Sequence, residues 1–183
     1  MKDVMKIGGR LALICAVAAI ILGLVNGITA PRIAELKALK LQQALRAVVP
    51  VGDIGEQTLL ADQPGITGYY PVTAGGKITG YVLDLTGSGY AGDLKILAGF
   101  LADGTVNAVV MMDNQETPGL GKEAEKASYM EKYLGTGSDK PIPVRKSQLA
   151  QADADAISGA TITFMGIAKA LEAGSAFVKG MED

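Results

Sequence analysis

Three short runs hold residue types able to handle a ligand. Asp155-Ala156-Ile157-Ser158-Gly159-Ala160-Thr161 precedes a segment with helical apolar spacing. Ser, Thr and Asp are favoured helix N-caps, so the run reads first as a helix entry. The same physics makes an anion site: a helix N-terminus offers unpaired N–H groups and a positive dipole end. Gly159 and Ala160 leave room for a phosphate, and Thr161 would be a hydroxyl held against it. The second run, QETPGLG at 115–121, contains Pro118-Gly119, the residue pair suited to the centre of a type II turn. The turn leaves Glu116 and Thr117 unexplained, a carboxylate and a hydroxyl beside a backbone opened by glycine. The third run, GSGYAG at 87–92, matches G-x-G-x-x-G literally. A dinucleotide fingerprint needs a helix to start there, but the following DLKILAGFL is strand-like. It reads as a flexible loop between strands, or as a loop whose backbone approaches a flat ligand because it lacks Cβ atoms.

What is missing narrows the chemistry further. The 183 residues include no His, no Trp and a single Cys, Cys15. Ser-His-Asp and Cys-His triads cannot be assembled, and no metal set is visible. A protein-ligated iron–sulfur cluster typically needs four cysteines. A redox centre here would have to be organic. No side chain stands out as a general acid or base, so no catalytic residue is assigned. A formal net charge of −2 with few aromatics argues against nucleic acid. The 24 glycines are about twice ordinary usage and fit many tight turns.

The mean hydropathy of +0.27 is high, and its excess sits at one end. No charged side chain lies between Arg10 and Arg32. As a helix that run of about 21 residues spans ~31 Å, close to the thickness of a bilayer core. A cleaved signal peptide fits badly, because a cut after Ala30 would put Ile28 at the −3 position and Pro31 just after the cut. An uncleaved anchor in the lipid bilayer is expected. Lys2, Lys6 and Arg10 precede the span, and Arg32, Lys37, Lys40 and Arg46 follow it, so charge alone leaves the orientation open. The very short N-terminal tail suits a cytoplasmic N-terminus.

Beyond the anchor, Ile33, Leu36, Leu41, Ala44, Leu45 and Val48 recur at helical spacing up to Pro50. That helix packs on its own domain or lies on the membrane surface. Strands are expected at 69–73 and 77–86 around Ala74-Gly75-Gly76, and at 93–101 and 105–113 around Ala102-Asp103-Gly104. An exposed helix is expected at 122–134, with Glu123, Lys126, Glu131 and Lys132 solvated. A loop at 135–143 and a packed helix at 163–178 complete the chain. Strands followed by helices, with antiparallel hairpins, predict an α+β fold.

At this point the chain resembles a known family. DAISGATIT is similar to the flavinylation motif D-x-x-[ST]-G-A-T of the FMN-binding subunits of the Rnf complex (G-type) and of the sodium-translocating NADH:quinone oxidoreductase (C-type). Asp155, Ser158, Gly159, Ala160 and Thr161 stand in register. ETPGLG, the Gly89-Tyr90-x-Gly92 run and the anchor followed by a helix ending near Val49-Pro50 also resemble the family, in its order. The resemblance implies a transmembrane helix followed by an antiparallel-sheet FMN-binding domain with flanking helices. The expected division is 1–31 tail and anchor, 32–50 juxtamembrane helix and 51–183 FMN-binding domain.

It further implies that FMN is covalent, its phosphate esterified to Thr161 by a separate flavin transferase that uses FAD and Mg²⁺ and recognises Asp155 and the SGAT run. Ser158, Gly159, Ala160 and Thr163 would surround the phosphate. Glu116, Thr117, Gly119, Leu120, Gly121 and Tyr90 are the candidates for flanking the isoalloxazine ring. The FMN domain would lie on the outer face of a prokaryotic plasma membrane. It would relay electrons between integral and peripheral subunits of a ferredoxin:NAD oxidoreductase coupled to Na⁺ or H⁺ transport. The chain length resembles the G-type subunit better than the longer C-type. Two other readings stand beside this one: a membrane-anchored interaction module without a cofactor, and a free-standing flavin-dependent reductase.

Overall fold

The structure, a computed structural model, describes residues 2–181. It divides into two units, Met1–Leu41 and Gln42–Asp183. The described residues of the first unit are all helical and belong to α1 (Lys2–Val48), whose last residues lie in the second unit. Its apolar side chains, among them Leu11, Ile14, Ile21 and Leu24, are exposed. Its most apolar window has a mean hydropathy of 2.6 and no buried residue, so the helix is long and apolar enough to cross a membrane. Pro31 sits inside α1 without ending it, and the anchor and the following amphipathic segment form one uninterrupted helix. The hydroxyl of Thr29 donates to the Val25 carbonyl at 2.8 Å, so this polar group is satisfied within the apolar run.

The second unit is built on an antiparallel sheet. Its strands are β1 (Asp53–Ile54), β2 (Thr58–Leu59), β3 (Ile66–Ala74), β4 (Lys77–Ser88), β5 (Asp93–Leu101) and β6 (Val106–Asp113). The order is β1-β3-β4-β5-β6, with β2 also pairing to β3. Both hairpin signals are turns in the structure, and strand positions agree with expectation to within a few residues. Alternation along the strands separates two faces. Tyr81, Leu83 and Leu85 of β4 lie opposite Phe100, Ala98 and Ile96 of β5. They form the main core with Phe164, Ile167 and Leu171 of α4 (Thr161–Lys179). Val82 and Leu97 point to the other face and are also buried. There the end of α1 contributes: Val48 is fully buried, and a Cβ on Gly99 would come within 2.6 Å of its Cγ1. The amphipathic segment thus packs on its own domain through its last turns, while Ile33, Leu36 and Leu39 stay exposed.

One expected element is corrected. Residues 122–134 are not a single exposed helix but a 3-10 turn (Gly121–Glu125), α2 (Ala127–Met130) and a second 3-10 turn (Glu131–Tyr133). Lys126 takes an extended conformation (φ −79°, ψ 136°) and breaks the helical run. The break turns Ala124, Tyr129, Met130 and Tyr133 into the core. Burial of these apolar groups outweighs the helical preference of the lysines and glutamates between them. A short helix absent from the expectation, α3 (Gln151–Ala156), precedes α4.

Helix α4 lies unusually close to β4. A Cβ on Gly87 would meet the Gly166 carbonyl oxygen at 2.7 Å, and one on Gly166 would meet the Ser88 carbonyl oxygen at 2.1 Å. Backbone touches backbone there, and this approach fixes the start of α4 against the β4–β5 loop. Gly166→Ala is expected to lower stability by about 1–3 kcal/mol through overpacking. Thermal denaturation of the detergent-solubilised full chain should register that as a drop of about 4–8 °C in Tm for 2 kcal/mol.

Candidate functional site

The entry to α4 departs from ordinary capping. Asp155, a favoured N-cap by sequence, lies on α3, where its carboxylate accepts from the Gln151 side-chain amide at 2.9 Å. Residues 157–159 form a turn, and Gly159 takes φ +85°, a conformation that a Cβ would strain. The N-cap is Ala160, and no side chain caps the helix. Phe164 is the first residue whose N–H reaches back into the helix, donating to the Ala160 carbonyl at 3.0 Å. The N–H groups of Thr161, Ile162 and Thr163 therefore have no intrahelical acceptor. Tyr133 braces this first turn from below. Its ring stacks on Phe164 with centroids 5.6 Å apart, and its hydroxyl donates to the Phe164 carbonyl at 3.1 Å. Burial pushes the Tyr133 phenol far above its ordinary range, so it serves as a hydrogen-bond donor and not as an acid.

Beside the helix entry lies a cleft of about 390 Å³. Gly159, Ala160, Thr161 and Thr163 form one wall. Glu116, Thr117, Leu120 and Gly121 form the other, and Tyr90, 77% exposed, stands at the rim. All three runs singled out in the sequence meet here. Three of their candidate residues do not line the cleft: Asp155, the exposed Ser158, and Gly119, which occupies the turn. That turn is as expected, with Gly119 at φ +77° and the Leu120 N–H donating to the Thr117 carbonyl at 3.2 Å. In the GSGYAG run, Gly87 and Ser88 end β4 and 89–92 form the loop to β5, closed by the Gly89 N–H donating to the Gly92 carbonyl at 2.8 Å, and no helix starts there.

The three runs are joined by one carboxylate. Glu116 is only 5% exposed. Its Oε1 accepts from the Ala91 N–H at 2.9 Å, and its Oε2 accepts from the Thr163 hydroxyl at 2.7 Å. Its own N–H donates to Asn114 Oδ1 at 3.1 Å. Two glycines make room for it: a Cβ would come within 2.4 Å of Oε1 from Gly89 and within 2.5 Å of Oε2 from Gly121. Thr163, 1% exposed, thus spends its hydroxyl on Glu116. Thr161 is partly exposed, and its hydroxyl makes no hydrogen bond among the described residues.

Sequence reasoning did not single out Asn114, Ile162 or the Ala91 N–H. Only the contact across the fold identifies them, since none carries a chemical signature alone. Ile162 also borders a larger groove of about 830 Å³, formed by Met165 and Lys169 of α4 and the segment leading into β3. No residue lining the smaller cleft is basic. An anion placed there is met by helix N–H groups and hydroxyls and by no ammonium or guanidinium.

Comparison with known proteins finds relatives over most of the chain. The family model for the FMN-binding domain matches residues 89–175, and that for the RnfG N-terminal region matches residues 1–48. The G-type subunit of the ion-translocating oxidoreductase complex of Cereibacter sphaeroides is 35% identical over 167 residues, covering 85% of this chain and 75% of that protein. Its counterpart in the Na⁺-translocating ferredoxin:NAD⁺ oxidoreductase complex of Acetobacterium woodii is 30% identical, covering 88% and 85%. The corresponding protein of the proton-translocating ferredoxin:NAD⁺ oxidoreductase complex of Clostridium ljungdahlii is 27% identical, covering 93% and 89%.

The two threonines should respond differently to loss of the hydroxyl. Thr163→Val leaves Glu116 Oε2 without its donor and is expected to cost about 1–3 kcal/mol. Thr161→Val removes no hydrogen bond and should stay within about 0.5 kcal/mol. Thermal melts of the flavin-free proteins check both.

Proposed function

Because the chain belongs to the RnfG family, the G-type subunits of ion-translocating oxidoreductase complexes, we propose that it carries FMN as a phosphoester of Thr161 and relays electrons within an Rnf-type ferredoxin:NAD oxidoreductase. The observation that carries the reading is the uncapped start of α4, with the unbonded Thr161 hydroxyl in a cleft that lacks a basic side chain. A helix N-terminus contributes about 0.3–2 kcal/mol toward an anion. Micromolar retention of a ligand takes about 8 kcal/mol. A phosphate in this cleft has no ion pair to make up the difference, whereas a covalent bond removes the need for one.

The residues fit the group. Gly159 and Ala160 add little side-chain bulk of their own at the helix N-terminus, where Leu120 Cδ2 packs within 2.9 Å of where a Gly159 Cβ would stand, and the N–H groups of Ile162 and Thr163 are available to phosphate oxygens. Thr161 Oγ1 provides the attachment atom. Glu116, Thr117, Leu120, Gly121 and Tyr90 provide the walls for the ring side. When bound, the flavin supplies reversible electron transfer, and the protein's part is to hold and orient it. Asp155 and Ser158 lie outside the cleft lining, where a flavin transferase would recognise them.

The match over residues 1–48 favours the G-type subunit over the C-type. Relatives of similar identity belong to complexes named for sodium and for protons. We therefore assign ion coupling to the partner subunits and electron relay to this one. Helix α1 anchors it in the plasma membrane, with the N-terminus in the cytoplasm and the FMN domain on the outer face.

Coexpression with a flavin transferase tests the attachment. The denatured band should fluoresce as flavin, and Thr161→Val should abolish the signal while Thr163→Val keeps it. A dark wild-type band would refute the covalent reading. For orientation, protease added to intact spheroplasts should digest the second unit. Protection until the membrane is permeabilised would place the domain inside.

A further inference from the structure

The start of α4 carries two threonines, Thr161 and Thr163, of the same chemistry and both within the uncapped first turn. A transferase that required only a hydroxyl at this helix end would find two. We propose that Glu116 decides between them: it is a specificity-determining residue that withholds Thr163 and leaves Thr161 as the acceptor. The inference rests on the covalent reading above.

Helical geometry turns successive residues by about 100°, so two residues apart the side chains diverge by about 200°. Both residues border the cleft, but Thr161 is partly exposed with its hydroxyl unbonded, whereas Thr163 is 1% exposed and its hydroxyl donates to Glu116 Oε2 at 2.7 Å. A hydrogen bond to a carboxylate would sharpen a hydroxyl as a nucleophile if it could be approached. Burial denies Thr163 that approach.

The carboxylate is in turn held in place. Oε1 is bound by the Ala91 N–H, the Glu116 N–H is bound to Asn114, and Gly89 and Gly121 close around the head group. Rotating Glu116 away would cost both of its acceptor bonds at once. One group therefore fixes the loop at 89–92, fixes the first turn of α4 and occupies the competing hydroxyl.

The attachment that Glu116 would direct is a balanced substitution at phosphorus. The Thr161 oxygen forms one O–P bond to the FMN phosphate of FAD, the diphosphate bond breaks, AMP leaves, and the hydroxyl proton passes to the transferase. No oxidant or reductant is consumed.

The test uses the full chain coexpressed with a flavin transferase, with tandem mass spectrometry of the tryptic peptide 147–169, which contains both threonines. The wild type should carry flavin on Thr161 alone. Thr161→Val should carry none, although Thr163 remains. Thr161→Val combined with Glu116→Ala should transfer the label to Thr163. Thr161→Val with Glu116→Gln should remain unlabelled, because the amide still bridges Ala91 and Thr163 with one hydrogen bond reversed.

Should the alanine variant fail to fold, judged by its thermal melt, Glu116→Asp replaces it. It keeps the acid but is one methylene short of spanning both donors. Flavin on Thr163 in Thr161→Val alone would overturn the proposal, as would a folded double variant without label. Absence of flavin from the wild-type peptide would instead overturn the covalent reading on which the proposal stands.

Discussion

A carboxylate inside an apolar domain has to be supplied with donors, and Glu116 takes one from each of two distant segments. The Ala91 N–H comes from the loop between β4 and β5, and the Thr163 hydroxyl from the first turn of α4. Leaving such a group unpaired would cost about 1–3 kcal/mol per lost partner, so the three segments are coupled energetically as well as spatially. The cleft exists because that coupling holds. Its two walls are the segment that carries Glu116 and the helix that Glu116 binds.

The glycines serve this arrangement by what they lack. Gly89 and Gly121 close around the Glu116 head group, and Gly87 and Gly166 let β4 and α4 meet backbone to backbone. Each would otherwise place a Cβ well inside van der Waals contact. The glycine surplus is thus only partly a matter of turns. Several of these residues set the distance between layers, and the cleft depends on that distance.

The same economy shows in the electrostatics. Asp155 pairs within α3 and Thr163 pairs with Glu116, so both of these polar side chains near the helix entry are committed elsewhere. The helix is left with open N–H groups and one free hydroxyl. The absence of a basic side chain from the cleft lining means that an anion there gains from backbone N–H groups and hydroxyls without an ion pair, which is the setting in which a covalent tether has most effect.

The sequence by itself determined the elements whose signals are local. A long uncharged apolar run must avoid water, so α1 was legible from composition, and Pro118-Gly119 dictated a turn by backbone sterics alone. The hairpins and the α+β class followed from alternation and glycine placement. The three functional runs were legible as types, and their resemblance to a known motif named Thr161 among them. Tertiary structure alone decided the rest. Residues 122–134 have the composition of an exposed helix, yet the apolar groups among them are worth more in the core. The motif names Thr161, but nothing local sets the Thr163 hydroxyl against a carboxylate, and nothing in QETPGLG announces where its carboxylate goes. Those outcomes depend on partners 25 and 47 positions away in the chain, and a hydrogen bond between such residues exists only once the sheet and α4 have brought them together.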